Sequence, residues 1–298
     1  MVTNDQSPSE KRTVFRKALA SGELLRFPGA FSPLVGMLIE RIGFEGAYVS
    51  GAALSADLGL PDIGLTTLSE VVQRSEAIAR MTRLPVIVDA DTGFGEPANV
   101  TRTIEAMEAA GLSGCHLEDQ QFPKRCGHLD NKTLVSADEM ARKIAAAVTA
   151  KRDKNFLVIA RTDAKGVDGM DAAIDRAKRY VDAGAEMIFP EALADEAEFE
   201  TFRKAIDVPL MANMTEFGKS PLLTTQQLKD LGFNLVIYPV TALRLAMKAV
   251  ENGLQTIMDS GTQADAVENM QTRAELYELL AYESYAKIDK DLFNFKID

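Results

Sequence analysis

Apolar residues in this chain fall into short blocks that follow glycines, and the arrangement recurs. Arg41-Ile42-Gly43 precedes Gly46-Ala47-Tyr48-Val49-Ser50, and Ala110-Gly111 precedes Gly114-Cys115-His116-Leu117-Glu118. Ala183-Gly184 precedes Glu186-Met187-Ile188-Phe189-Pro190-Glu191, and Leu231-Gly232 precedes Leu235-Val236-Ile237-Tyr238-Pro239. Glycine takes the left-handed conformation after a helix without a Cβ penalty. Each apolar block is too short for a helix and predicts a strand buried on both faces. Three more strands are predicted at 85–89, 156–160 and 209–213, and an eighth at 25–30. Amphipathic helices lie between them. Ser32 before Pro33 reads as an N-cap with proline in the first helical position. Ser136 with Glu139 reads as a capping box opening a helix through Ile144 and Val148.

Eight strands alternating with helices predict an α/β fold, a parallel (β/α)8 barrel of the TIM type, as one domain over about 15–253. Beyond the last strand, 241–253 is predicted helical, Ser260-Gly261-Thr262 is a polar gap, and 267–287 holds one or two further helices. This C-terminal helical extension, about 254–298, is expected to pack against the barrel or a neighbouring subunit, with a poorly ordered tail from 288. Polar residues sit where such a barrel would use them. Ser50, Asp89, Asp91, Glu118, Arg161, Asp163, Glu191, Asn213 and Thr215 fall at or just after predicted strand ends, the rim where barrel active sites assemble. A helix cap or loop hydrogen bond explains any one of them equally well. Nine on one rim favour a site.

Composition narrows the function classes. Of 298 residues, 46% are apolar, ample for a large core, and the net charge of −11 argues against nucleic-acid binding through phosphates. The two cysteines and two histidines are too few for a disulfide framework or a zinc site, so a reducing cytoplasmic compartment is expected. The polar stretch 1–16 lacks the apolar core of a signal peptide, and no apolar run approaches the ~20 residues that span a membrane.

Two clusters carry chemistry. Asp89 and Asp91 are two apart at a strand end, so their side chains leave one face. Glu118 and Asp119 end the next strand. Oxygen ligands without histidine suit Mg2+ or Mn2+; helix caps or pairs with Arg102 or Arg161 are the plainer reading. Gly93-Phe94-Gly95 lacks the third glycine of a dinucleotide fingerprint. The second cluster is Lys124-Arg125-Cys126-Gly127-His128, in a long strand-to-helix connection expected to be a solvent-accessible lid. Its cations favour thiolate, making Cys126 a candidate proton donor or nucleophile. Cys115, within an apolar strand, is expected to be inert. Arg161, Arg244 and Arg273 are candidate carboxylate anchors if they face the barrel mouth, and surface charges otherwise.

These residues resemble the isocitrate lyase / phosphoenolpyruvate mutase superfamily, over about 15–285. The resemblance rests on Tyr48-Val49-Ser50-Gly51, Gly59-Leu60-Pro61-Asp62, Asp89-Ala90-Asp91-Thr92-Gly93-Phe94-Gly95, Glu118-Asp119-Gln120, the cysteine segment, Ala160-Arg161-Thr162-Asp163, Phe189-Pro190-Glu191-Ala192, Asn213-Met214-Thr215-Glu216-Phe217-Gly218 and Met270-Gln271-Thr272-Arg273. The cysteine motif marks the lyase branch; the phosphonate-forming mutases lack it. The resemblance implies a barrel whose last helix swaps between paired subunits, assembled as a homotetramer. It implies Mg2+ on Asp89 and Asp91, with Asp62 and Glu118 in the outer shell. It implies a di- or tricarboxylate substrate held by Ser50, Gly51, Ala52, Gly127, Arg161, Glu191, Asn213, Met214, Thr215, Arg244 and Arg273. Ala52-Ala53 stands where some relatives have glycines, which bears on the backbone's approach to a ligand there.

The implied reaction is cleavage of 2-methylisocitrate to pyruvate and succinate, in propionate breakdown. Tyr48 would be the base, its pKa lowered by the metal and Arg161, and Cys126 would protonate the succinate carbanion under the closed lid. Lys124 and His128 would serve the proton balance and the anionic intermediate. Rival readings are a lyase for isocitrate or 2,3-dimethylmalate, an oxaloacetate hydrolase, and a non-catalytic barrel that binds a dicarboxylate.

Overall fold

In the computed structural model, which describes residues 6–293, all eight predicted strands form, all parallel. The first half of the chain runs α1 (Pro8–Leu19), β1 (Leu25–Pro28), α2 (Pro33–Ile42), β2 (Ala47–Val49), α3 (Gly51–Asp57), α4 (Leu68–Arg80), β3 (Val86–Asp89), α5 (Pro97–Ala109) and β4 (Gly114–Glu118). The second half runs α6 (Ala137–Ala150), β5 (Leu157–Thr162), α7 (Lys165–Asp168), α8 (Met170–Asp182), β6 (Met187–Pro190), α9 (Glu196–Ala205), β7 (Met211–Asn213), α10 (Thr225–Asp230), β8 (Leu235–Tyr238) and α11 (Thr241–Ser260). Strands β2 to β6 pair in order, and β1, β8 and β7 form a second run. Bridges Gly29↔Tyr48 and Ile188↔Leu210 join the two runs, so the sheet closes into the expected (β/α)8 barrel.

The local signals behave as physical chemistry requires. Gly43, Gly111, Gly184 and Gly232 all have positive φ, at 96°, 83°, 104° and 77°. Ser32 accepts from the Val35 N–H and Ser136 from the Glu139 N–H, each satisfying a donor that the first helical turn leaves open.

Alternation along the strands builds two cores. Val88, Cys115, Leu117, Val158 and Ala160 face outward onto helix residues such as Ile104, Ile144 and Phe202. Phe27, Ile87, Leu157, Ile159, Met187, Met211 and Ile237 fill the barrel interior. Helix α1, which the sequence pattern does not predict, floors that interior with Phe15 and Leu19. Burying each contributes ~1.5–3 kcal/mol. Its cations tie it down: Lys11 Nζ donates to the Ala79 and Thr82 carbonyls, Arg12 to those of Glu108 and Leu112, and Arg16 to that of Phe156.

The described residues divide into two compact units, 6–243 and 244–293. The division falls inside α11. The second unit holds the rest of α11, a 3-10 turn (Ala264–Asn269), α12 (Arg273–Leu279) and α13 (Tyr282–Phe293). The tail expected to be poorly ordered from 288 is helical to Phe293; residues 294–298 lie outside the described residues. Among the described residues no helix is long and apolar enough to cross a membrane.

Candidate active site

The barrel rim gathers two groups of charges, one acidic and one around a guanidinium. Asp89 ends β3, and the chain turns at once: Asp91 has φ 46°, and its N–H donates to Asp89 Oδ1 at 2.9 Å. This left-handed turn, unusual for a residue with a side chain, brings both carboxylates to one place. Gly51, the first residue of α3, lies against them; a Cβ there would be 2.9 Å from Asp89 Oδ2 and 3.4 Å from Asp91 Oδ1. Ser50 caps α3 through the Ala53 N–H, and Ala52 lies in that helix's first turn. Lys124 Nζ is 2.7 Å from Asp91 Oδ1 and also pairs with Asp62.

Negative charge exceeds what these cations neutralise. Burial, reinforced by the charge of Asp89, pushes the Asp91 carboxyl up to about 6. Burial drives Glu118 well above the carboxylate range, and neither of its oxygens has a hydrogen-bond partner. Burial works the same way on Asp89, but the charges of Lys124 and Arg161 and the hydrogen bond from the Asp91 N–H outweigh it and hold that carboxyl low. An unbonded buried carboxylate behind a geminated acidic pair fits a hard divalent cation. Among the described residues no group of three or more His, Cys, Asp or Glu is placed to hold a metal together.

Arg161, at the end of β5, organises the second group. It bonds Asp163 through Nε at 3.0 Å, pairs with Glu118 at 3.4 Å and Glu191 at 3.5 Å, and lies over the Phe189 ring. Asn213 Nδ2 donates to Glu191 Oε1 at 3.2 Å, and Asn213 Oδ1 is buried without a partner among the described residues. Residues 120–134 form a loop with a pinned stem. Gln121 N–H donates to the Thr133 carbonyl, and Gln120 bonds both backbone groups of Arg125. The loop's tip rests on the arginine: a Cβ on Gly127 would lie 2.3 Å from Arg161 Nη2 and 2.5 Å from Glu191 Cγ. His128 Nδ1 accepts from the Lys219 N–H at 2.9 Å, which leaves the proton on Nε2, 2.7 Å from Glu191 Oε1. Thr215 lies beside this contact, at the Gly218 turn.

Tyr48 points into the barrel mouth with its hydroxyl 2.8 Å from His116 Nε2. His116 Nδ1 is 3.7 Å from Asp89 Oδ1, and burial lowers the imidazole to about 4, so it is neutral.

Three expectations change. The cysteine segment is not an open cationic loop: Lys124 is buried among carboxylates and Cys126 is half-buried. Burial therefore raises the thiol pKa where a lowered one was expected. Burial and the Asp89 charge likewise raise Tyr48 well above the phenol range, and Arg161 only offsets this in part. Met214 packs in the outward core with its Sδ against the Leu223 N–H, so its side chain does not line the site. Arg244 and Arg273 belong to the second unit, whereas the other predicted residues are all in the first.

The sequence reading missed two groups. His116 is buried between apolar neighbours, but it shares a strand face with Glu118, and that two-residue spacing was a usable signal. Lys132 is buried, bonding the Gly127 carbonyl and Asp163 Oδ1; no local pattern announces it.

A family model described as phosphoenolpyruvate phosphomutase matches residues 15–258. The chain is 59% identical to "Probable 2-methylisocitrate lyase 2" of Corynebacterium glutamicum, over 98% of this chain and 95% of that one. It is 44% identical to the 2-methylisocitrate lyase of Escherichia coli, over 94% and 95%. An oxaloacetate acetylhydrolase in complex with 3,3-difluorooxalacetate superposes with a TM-score of 0.91 at 32% identity, covering 98% of this chain and 100% of that one. A phosphonopyruvate hydrolase in complex with oxalate and Mg2+ superposes with a TM-score of 0.86 at 34% identity, over 94% and 98%.

Proposed function

Because the chain belongs to the phosphoenolpyruvate phosphomutase family, we propose that it is a carbon–carbon lyase cleaving 2-methylisocitrate to pyruvate and succinate, in the methylcitrate cycle of propionate breakdown. The observation that carries this reading is a half-buried, protonated thiol on a loop seated over Arg161, beside an acidic pair. Identity to the 2-methylisocitrate lyases, 59% and 44%, also exceeds that to the hydrolases, 32% and 34%.

The cleavage needs a proton removed from the hydroxyl, stabilised oxygen anions and a proton delivered to carbon. Tyr48 takes the hydroxyl proton as its own passes to His116, 2.8 Å away, where the Asp89 carboxylate offsets the cost of charging that buried ring. The bond between the hydroxyl-bearing carbon and its neighbour then breaks; the first becomes the pyruvate carbonyl, and the electron pair leaves on the succinate fragment. Asp89 and Asp91, with Glu118 and Asp62 behind them, would hold Mg2+ or Mn2+, which supplies positive charge for the oxygen anions. Arg161, Asn213, Thr215 and the backbone at Ser50, Gly51, Ala52 and Gly127 hold the carboxylates. Glu191 orients Arg161 and His128. Cys126 gives its proton to the succinate carbon, which is why a raised thiol pKa suits it; Lys124 and His128 flank it on the loop. Solvent returns the proton from His116 and Tyr48 to Cys126.

A cytoplasmic homotetramer built from helix-swapped dimers is part of this proposal. Supporting it, Met247, Leu254 and Met258 of α11 are exposed by 58–80%, an apolar face suited to a second subunit.

The deciding experiment compares kcat/KM with Mg2+ for 2-methylisocitrate, isocitrate, 2,3-dimethylmalate and oxaloacetate. Preference for 2-methylisocitrate is expected. Preference for oxaloacetate would replace the lyase by a hydrolase.

A further inference from the structure

The loop that carries Cys126 returns to the barrel through Lys132, whose side chain turns inward while Leu129, Asp130 and Asn131 before it face solvent. Its ammonium reaches two places at once. One is the Gly127 carbonyl, five residues back at the tip of the same loop. The other is Asp163 Oδ1, at 2.9 Å. Asp163 accepts from Arg161 as well, Nε to Oδ2 at 3.0 Å and Nη2 to Oδ1 at 3.2 Å. It is itself fixed, its N–H donating to Asp119 Oδ1 at 2.9 Å. Gly166 of α7 closes over the ammonium; a Cβ there would be 3.6 Å from Nζ.

We propose that Lys132 is a positioning residue that locks the cysteine loop to the substrate-holding guanidinium through their shared partner Asp163. A buried ammonium is costly unless it is paired and hydrogen-bonded, and here both partners belong to the seated loop or to the arginine's own counter-ion. The loop can therefore bury Lys132 only where Asp163 already aligns Arg161. Loop seating and carboxylate binding become one event, and the thiol is presented only over a bound anion. A purely structural lysine would tie two parts of the scaffold, as Lys143 does with the Thr92 carbonyl; Lys132 ties the cysteine loop to the counter-ion of Arg161.

This inference rests on the lyase reading, and the test separates the two. Carbamidomethylation of Cys126 by iodoacetamide is followed by mass spectrometry with Mg2+, with and without saturating succinate plus pyruvate. In the unaltered protein the two acids should slow labelling at least tenfold. In Lys132→Met they should slow it less than threefold, with kcat for 2-methylisocitrate reduced at least tenfold and the melting temperature unchanged. If Lys132→Met does not fold, Lys132→Gln keeps a donor for Gly127 without the charge, and it should lose at least half of the protection. Full protection in either folded variant, or none in the unaltered protein, overturns the lock. An unaltered protein that is protected yet does not cleave 2-methylisocitrate overturns the substrate instead.

Discussion

Gly127 meets Arg161 so closely that one added carbon would stand 2.3 Å from a guanidinium nitrogen. The loop tip can seat only without a side chain there. Gly127→Ala should fold normally, since the tip adds little to the core, but lose at least a hundredfold in kcat/KM. Steady-state kinetics beside a thermal melt would check this; activity within threefold of the original would mean that the loop does not need this seat.

Cys126 is held as a thiol by burial. Cys126→Ser should abolish turnover while calorimetry still detects succinate binding, because the missing function is proton delivery. In the unaltered enzyme the alkaline limb of kcat should fall above the ordinary thiol value of 9.0. A limb near neutrality would indicate a thiolate and a covalent role.

The acidic pair predicts a stability that depends on metal and pH. Burial raises Asp91 to about 6 from 3.8, so between those values the metal-free folded state holds a proton that the unfolded chain has released. Its stability should accordingly increase as pH falls from about 6 towards 4, and that gain should be lost again as pH rises through 6. At neutral pH, Mg2+ at a hundredfold excess over its Kd should add about 2.7 kcal/mol. Asp91→Asn should remove both effects in thermal melts.

His116 and Tyr48 predict a defect in chemistry without one in binding. His116→Phe leaves the Tyr48 hydroxyl without its acceptor, and kcat should drop by roughly 10²–10⁴ with KM changed less than threefold. A rise in KM with unchanged kcat would assign the histidine to substrate binding instead.

Much of the barrel is legible in the sequence because its rules are local. A glycine after a helix, a serine three residues before a glutamate and a five-residue apolar block each state their own conformation. Asp89 and Asp91 are legible only in part: their spacing points to one face, but the left-handed turn at Asp91 is what brings them together. Helix α1 was overlooked although Ser7-Pro8-Ser9-Glu10 carries a start signal, which the structure shows as a full capping box. Chemistry set by burial is harder to read. Lys124 and Cys126 look cationic and open in sequence, and only the fold shows Asp62 and Asp91 closing over the lysine. Lys132 is hidden for another reason: Asp163 is 31 residues away, and no periodicity encodes that pair.

The floor laid by α1 has a consequence for how this protein can change. Lys11, Arg12 and Arg16 fasten one helix beneath several strands, far from any reacting atom. Substitutions there should shorten the lifetime of the folded chain and leave its turnover alone, while one at Gly127, on the loop tip, should do the reverse. The two ends of the barrel thus answer to separate selective demands, durability below and motion above, and each can drift without consulting the other.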